Sequence, residues 1–207
     1  KRVMRQGEDK FVRVLNELRW GKVSAASAAA LLMCQRQSPQ WDDGVELTKL
    51  YPYNVNVRAE NEKRLKSLPG ELLTYEAQDS IKGRAASRQR LEALGVEKTL
   101  QLKVGAQVMC LKNLDVASGL VNGARGVVVG LAANATCDGG KLWPKVKFAC
   151  GVEQVMVPEV WSVLEADSVV AERKQVPLSL AWAVSVHKCQ GMTLDRVEAS
   201  LSQAFDH

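Results

Sequence analysis

Between residues 106 and 166 the chain alternates apolar runs with turn residues so often that a small antiparallel β-structure is the natural way to accommodate it. The segments 106-AQVMCLKN-113, 126-GVVVGLA-132, 145-KVKFACG-151, 153-EQVMVPE-159 and 160-VWSVLEA-166 each have the apolar and β-branched content of a short strand. They are divided by 118-SGLVNGARG-126 and 137-CDGGK-141, both rich in residues that favour tight turns. The pattern predicts an all-β unit over residues 101–165, with a core of its own.

The flanks read differently. In 8-EDKFVRVLNELRW-20, Phe11, Val14, Leu15 and Leu18 recur at helical spacing, with acids in the first turn and Gly21 as the stop. Ser24 is placed to cap a helix over 25-AASAAALLMCQ-35, and Asn54 opens a third over 55-VNVRAENEKRLKSL-68, ended by Pro69-Gly70. The stretch 45-VELTKLY-51 alternates as a strand, and 178-LSLAWAVSV-186 fits either a buried strand or the start of a short helix. In 196-RVEASLS-202 the alternation places Val197, Ala199 and Leu201 inward. The expected fold class is α/β: one layered domain in residues 1–100 and 166–207, interrupted by a small barrel at 101–165.

Composition excludes several classes. With 207 residues, 46% of them hydrophobic, the chain can bury a core. No run of 18 uncharged apolar residues occurs, so no membrane partner is expected. The start, 1-KRVMRQGEDK-10, lacks a signal peptide's apolar segment and reads as the beginning of a fragment of a longer protein. Five cysteines at 34, 110, 137, 150 and 189, without a CxxC pair, and only two histidines point to a reducing compartment and to no metal site. The net charge of +5 sits in the first half, where residues 1–100 hold 18 Lys and Arg against 13 Asp and Glu. Such a bias fits a polyanionic partner, or a solvated surface with no partner at all.

Chemistry-bearing residues are densest in 185-SVHKCQGMTLDRVEASL-201. One reading is a loop whose polar groups merely satisfy the backbone. A nucleophilic pair of His187 and Cys189 is a second, but residues i and i+2 diverge on a helix and lie about 7 Å apart on a strand face, too far for the required hydrogen bond. A third is a phosphate-gripping loop, with Ser185, His187 and Lys188 as donors and Gly191 allowing close approach. A fourth lets Gln190 and Gly191 join that loop to a nucleotide site.

The segment 181-AWAVSVHKCQGMTLDRVEASL-201 resembles the fifth motif of the Pif-type (petite integration frequency) DNA helicases, motors of superfamily one that move 5′-to-3′ on single strands. Three more blocks resemble the same family in the same order. They are 3-VMRQGEDKFVRVLNELRWG-21, 48-TKLYPYNVNVRAENEKRLKSLPGE-71, and 102-LKVGAQVMCLKNLD-115 with 119-GLVNGARGVVVG-130. Cys189 stands where the family has Ser or Ala. The chain has no GxxxxGKS or GxxxxGKT loop and no Asp-Glu pair for magnesium, and it stops before the family's sixth motif.

The resemblance implies a second RecA-like helicase domain, of the P-loop NTPase fold but lacking the P-loop half, with an inserted SH3-like β-barrel. It implies the C-terminal motor half of an ATP-dependent DNA helicase acting in DNA repair, recombination and telomere or genome maintenance, in the nucleus or mitochondrion; the isolated fragment is expected to be inactive. Its partners would be single-stranded and forked DNA and the first RecA-like domain of the same parent chain. ATP and Mg2+ would serve the whole enzyme, with the Mg2+ ligands outside this chain. Arg5 would reach the γ-phosphate, and Arg5, Gln190 and Gly191 would sense the nucleotide. DNA contacts would come from Thr48, Lys49, Asn61, Asn122, Arg125, Ser185, His187, Lys188 and Thr193. Bland readings stand beside these: a surface ion pair for Arg5 with Glu8 or Asp9, a solvated strand end for Lys49, and the polar face of a helix for Asn61 and Arg64. Trp161 and Trp182 sit in apolar strings and read as core. The alternative function is a non-catalytic DNA-binding module derived from a helicase.

Overall fold

The computed structural model describes residues 9–35, 43–82, 85–133, 141–166, 168–190, 192, 194 and 196–199. The chain divides into two units, residues 1–40 and 41–207. The first holds α1 (Asp9–Arg19) and α2 (Ala25–Gln35). The turn between them is set by Ser24, whose amide and hydroxyl both donate to Glu17 Oε2 at 2.8 Å and whose Oγ accepts from the Ser27 amide at 3.3 Å. The Ser24 amide, with the Ser27 and Ser24 hydroxyls and Arg13, holds the Glu17 carboxyl at about 2.

In the second unit the elements run β1 (Thr48–Tyr51), α3 (Asn54–Ser67), β2 (Leu73–Glu76), β3 (Gln78–Ile81), α4 (Ala85–Ala93), β4 (Thr99–Leu102), β5 (Gln107–Cys110), β6 (Arg125–Ala133) and β7 (Leu142–Phe148). There follow β8 (Glu153–Val155), β9 (Glu159–Glu165), β10 (Ser168–Gln175), β11 (Leu178–Leu180), β12 (Ala183–Ser185) and β13 (Val197–Ala199). The three predicted helices form as expected, and α4, β2, β3, β4 and β10 are added to them.

β1 lies between β12 and β13, parallel to both, with Tyr51 opposite Ser185 and Thr48 opposite Val197. This is the small α/β layer, and α3 packs on its β1 and β12 side. The ambiguous 178–186 stretch resolves into two short strands, β11 and β12, which belong to different sheets. β13 forms where alternation placed a strand, but Val197 is 42% exposed and Ala199 is exposed too, against the inward orientation expected; Leu201 lies outside the described residues. Among the described residues β13 is an edge strand with only β1 beside it.

The all-β region departs from the expected plan in two ways. Its sheet has five antiparallel strands in the order β11-β5-β6-β7-β8, so it recruits β11 from beyond residue 165, and among the described residues no strand pairing closes it into a barrel. β9 leaves it to pair with β10, which pairs in turn with β3. Pro158, immediately before β9, has no amide to extend the β7–β8 ladder. The expected limits of 101 and 165 therefore cut through pairings: β2 with β4, β9 with β10, and β5 with β11.

One apolar core runs through these pieces, joining Leu65 of α3, Tyr75 of β2, Leu100 and Leu102 of β4, the inward residues of β5 to β7, and Trp182. Each Leu or Val buried there stabilises by about 1.5–3 kcal/mol. Glycine is required at position 126, where a Cβ would stand 2.5 Å from the Lys147 carbonyl oxygen of β7. Trp182 is core as expected, whereas Trp161 is half-buried with the Lys112 ammonium 5.6 Å from its ring centre.

A fully buried arginine, Arg173 on β10, ties this region together. Its Nε and Nη2 hold Asp79 of β3 at 2.8 Å each, Nη2 holds Glu92 of α4 at 2.9 Å, and Nη1 donates to the Val96 carbonyl at 2.7 Å. The bidentate fork holds the Asp79 carboxyl below its ordinary range.

Candidate functional site

Because β1 and β12 are parallel, their carboxyl ends lie side by side, which is where open α/β sheets present ligands. The ladder runs one residue further, with the Val186 amide donating to the Tyr51 carbonyl at 3.0 Å. The chain then turns tightly: the amides of Cys189, Gln190 and Met192 donate to the carbonyls of Ser185 at 3.1 Å, His187 at 3.4 Å and Cys189 at 3.0 Å. This turn leaves His187, Lys188 and Gln190 exposed and tucks Cys189 inward. The Cys189 thiol donates to the Val186 carbonyl at 3.2 Å, its side chain packs with Met192 onto Met109, Ala181 and Val184, and burial pushes its pKa up. A raised pKa and a committed thiol make it a small packing residue, not a nucleophile.

Lys188 also lines a groove of about 680 Å³ whose other walls are α3, through Asn54 and Arg58, and the 95–99 connection, through Lys98. Three carboxylates share the lining: Glu92 is engaged by Arg173 at 2.9 Å, Glu62 by Lys66 at 3.8 Å, and Glu97 enters no salt bridge among the described residues. The ammonium and guanidinium groups of Arg58, Lys98 and Lys188 enter no ion pair among the described residues. The groove thus carries cationic groups available to an anionic ligand.

The other sequence-predicted residues fall elsewhere. Thr48 is completely buried, its hydroxyl donating to the Ala181 carbonyl at 2.9 Å and accepting from Arg125 Nη1 at 3.1 Å. Arg125, 3% exposed, also donates to the Arg196 carbonyl at 2.6 Å. Asn61 is 8% exposed, and its amide pairs with both the N–H and the C=O of Ala183 at 2.9 and 3.0 Å. Asn61 thereby stands in for a missing neighbour on the free edge of β12. Ser185 is 1% exposed, with a hydroxyl that has no hydrogen-bond partner among the described residues. In this structure the side chains of Thr48, Asn61, Arg125 and Ser185 are therefore buried and not solvent-facing as the expected contacts required: burying the first three satisfies backbone groups at the sheet's edges.

Lys49 is partly exposed and bound to Glu60 at 3.0 Å, a contact that raises its pKa and lowers that of Glu60. Arg64 reaches Glu46 at 3.2 Å and Glu60 at 3.6 Å, so the bland reading of an ion-paired helix face describes it. The Asn122 side chain is exposed, and its amide donates to Asn113 Oδ1 at 2.8 Å. Arg5, Gly191 and Thr193 lie outside the described residues, and of the nucleotide-sensing set only Gln190 is within them. Sequence reasoning missed Arg58 and Lys98, which lie on helix and loop faces with no motif. It also missed Gln107, whose signal was a polar residue inside the apolar run 106-AQVMC-110.

Among the described residues no group of three or more His, Cys, Asp or Glu is placed to hold a metal ion, and no helix is long and apolar enough to cross a membrane.

Residues 90–131, covering the end of α4, all of β4 and β5 and most of β6, match the family model for the 2B domain of DNA helicase Pif1. The chain is 42% identical over 205 residues to the human ATP-dependent DNA helicase PIF1, an alignment covering 99% of this chain and 31% of that protein. Among solved structures it resembles the Pif1 helicase from Candida albicans, with a TM-score of 0.76 at 32% identity over 100% of this chain and 51% of that one. It also resembles Bacteroides Pif1 in complex with ADP-AlF4, with a TM-score of 0.74 at 25% identity over 99% of this chain and 46% of that one. For Bacteroides Pif1 bound to ssDNA the TM-score is 0.59 at 26% identity, over 99% of this chain and 45% of that one. The chain spans about a third of the length of the curated relatives it matches. Likeness over essentially its whole length, in both sequence and fold, leads to one finding: the chain is similar throughout to a part of the Pif1 helicases, about a third of their length.

Proposed function

We propose that this chain is the strand-gripping, nucleotide-sensing part of an ATP-dependent 5′-to-3′ DNA helicase. The observation that carries the reading is the exposed turn bearing His187, Lys188 and Gln190 at the carboxyl end of the parallel sheet, beside a groove to which Arg58 and Lys98 add positive charge. A motor that tracks any sequence must hold phosphate and sugar, and ammonium, guanidinium and imidazole groups on a solvent-facing wall do this without reading bases. Single-stranded and forked DNA are the proposed ligands, with the first RecA-like domain of the parent chain as the partner across the cleft. DNA repair, recombination and telomere maintenance, in the nucleus or mitochondrion, are the settings we propose for it.

ATP with Mg2+ would supply the energy of each step in the whole enzyme. Gln190 continues the strand-gripping turn and is the described residue positioned to pass nucleotide state to it, with Gly191 next in sequence. Arg5 is proposed to offer its planar, permanently charged fork to the γ-phosphate. The phosphate cradle and the magnesium ligands are assigned to the remainder of the parent chain.

The test is single-strand binding by the full-length parent protein, followed by fluorescence anisotropy across a salt series. Lys188→Ala should weaken binding of every sequence alike and reduce the slope of log affinity against log salt by about 1. An unchanged slope in Lys188→Ala and in the Arg58→Ala, Lys98→Ala pair would refute the groove as the strand's path.

A further inference from the structure

The segment that carries the exposed turn is gripped at both ends by two side chains of the five-stranded sheet. At the near end, the Ala181 carbonyl just before β12 accepts from Gln107 Nε2 at 3.0 Å as well as from the Thr48 hydroxyl at 2.9 Å. At the far end, the Arg196 carbonyl just before β13 accepts from Arg125 Nη1 at 2.6 Å and from the Thr48 amide at 3.2 Å. Gln107 is 1% exposed and Arg125 3% exposed, and Gln107 further binds the amide and carbonyl of Glu46 at 2.7 and 3.2 Å. A third contact lies between these two. Gly123, at φ +97°, comes so close to Met192 that a Cβ there would stand 3.3 Å from the Met192 Cβ. Arg196 itself is fixed by a bidentate pair to Asp43 at 2.7 and 2.6 Å.

A buried guanidinium and a buried amide are costly to keep unless every contact is made. Here Gln107 and Arg125 each place one such contact on the backbone at an end of residues 182–195, with others on Glu46 and Thr48. We propose that Arg125 and Gln107 are positioning residues: they set the orientation of the His187, Lys188 and Gln190 turn, so that the attitude of the five-stranded sheet is coupled to the grip on single-stranded nucleic acid. This rests on the reading of that turn as the strand grip. The same observation explains why Arg125, read from sequence as a DNA contact, is buried: it acts through the loop.

The coupling is testable in the full-length parent protein with a reporter that does not involve DNA. Alkylation of Cys189 by iodoacetamide, followed by mass spectrometry of its peptide and normalised to the exposed Cys150, reports whether the turn stays docked. Arg125→Met should raise the Cys189 rate about fivefold by local opening and weaken single-strand binding about tenfold. Arg125→Lys, which keeps one donor for the Arg196 carbonyl, should fall between Arg125→Met and wild type in both. Val163→Ala, in the separate cluster of Leu91, Val163 and Ala171, controls for a general loss of stability. An equal rise in Cys189 reactivity in Val163→Ala, or no rise in Arg125→Met, would overturn the positioning role. A freed Cys189 with unchanged strand affinity would uphold the role of Arg125 in docking the turn and refute the strand-grip reading instead, as would unchanged binding by Lys188→Ala.

Discussion

The two sheets that meet at Thr48 and Arg125 are held together by different physics. The five-stranded antiparallel sheet buries alternate side chains in a continuous core, with Val108, Val128 and Val146 fully buried. The parallel sheet of β12, β1 and β13 has three or four residues per strand and an exposed β13, and it is framed by polar side chains that bind backbone: Asn61 on Ala183, Gln107 on Ala181, Arg125 on Arg196. Apolar burial is non-directional and tolerates adjustment, whereas a hydrogen bond fixes atoms to within tenths of an ångström. The sheet that carries the functional turn is thus the one whose geometry is pinned atom by atom.

The largest perturbation should come from outside both sheets. Arg173→Met removes the group that neutralises Asp79 and Glu92 and satisfies the Val96 carbonyl, and should cost about 3 kcal/mol in urea denaturation, the range for breaking a buried pair from one side. Single-strand affinity measured at low denaturant should fall as well, because the substitution frees the Glu92 carboxylate in the groove lining. Asn61→Ala leaves an N–H and a C=O of Ala183 without their partner and should cost about 2 kcal/mol. It should also weaken strand binding, by a different route, because β12 leads directly into the turn.

Acid should loosen the joint. The Arg196 hydrogen bonds hold the Asp43 carboxyl below its ordinary range. A folded-state pKa below the unfolded one contributes stability above the ordinary carboxylate range, and that contribution is lost as pH falls through the lowered value. Asp43→Asn should therefore be less stable than wild type at neutral pH by about 1 kcal/mol and show a flatter decline below about pH 4, read from midpoints of denaturation across pH. The smallest effect belongs to the residue beside Asn61. Glu62 faces solvent and pairs with Lys66 at 3.8 Å with both side chains largely exposed, so Glu62→Ala should leave the denaturation midpoint unchanged within error. A large Glu62 effect, or a negligible Asn61 one, would break the distinction drawn here between the two faces of α3.

The sequence by itself determined the local elements and the chemistry of the turn. Helical periodicity with Ser24 and Pro69-Gly70 as punctuation located α1, α2 and α3, and alternation with Gly-rich turns located β5 to β9, because these signals reside within a few residues of one another. The concentration of His187, Lys188 and Gln190 in one short stretch was legible for the same reason. Only the tertiary structure decided which strands pair, since sheet order joins residues far apart in the chain: β11 completes a sheet begun at β5, and β9 turns to β10. It also decided which polar residues face a ligand. Thr48, Asn61 and Arg125 carry the same donors and acceptors as exposed residues would, and sequence cannot tell whether those groups meet solvent or a backbone more than 70 positions away, as Arg125 meets the Arg196 carbonyl at a separation of 71. Burial is a property of the assembled surfaces, and with it goes the difference between a residue open to solvent and one that binds backbone.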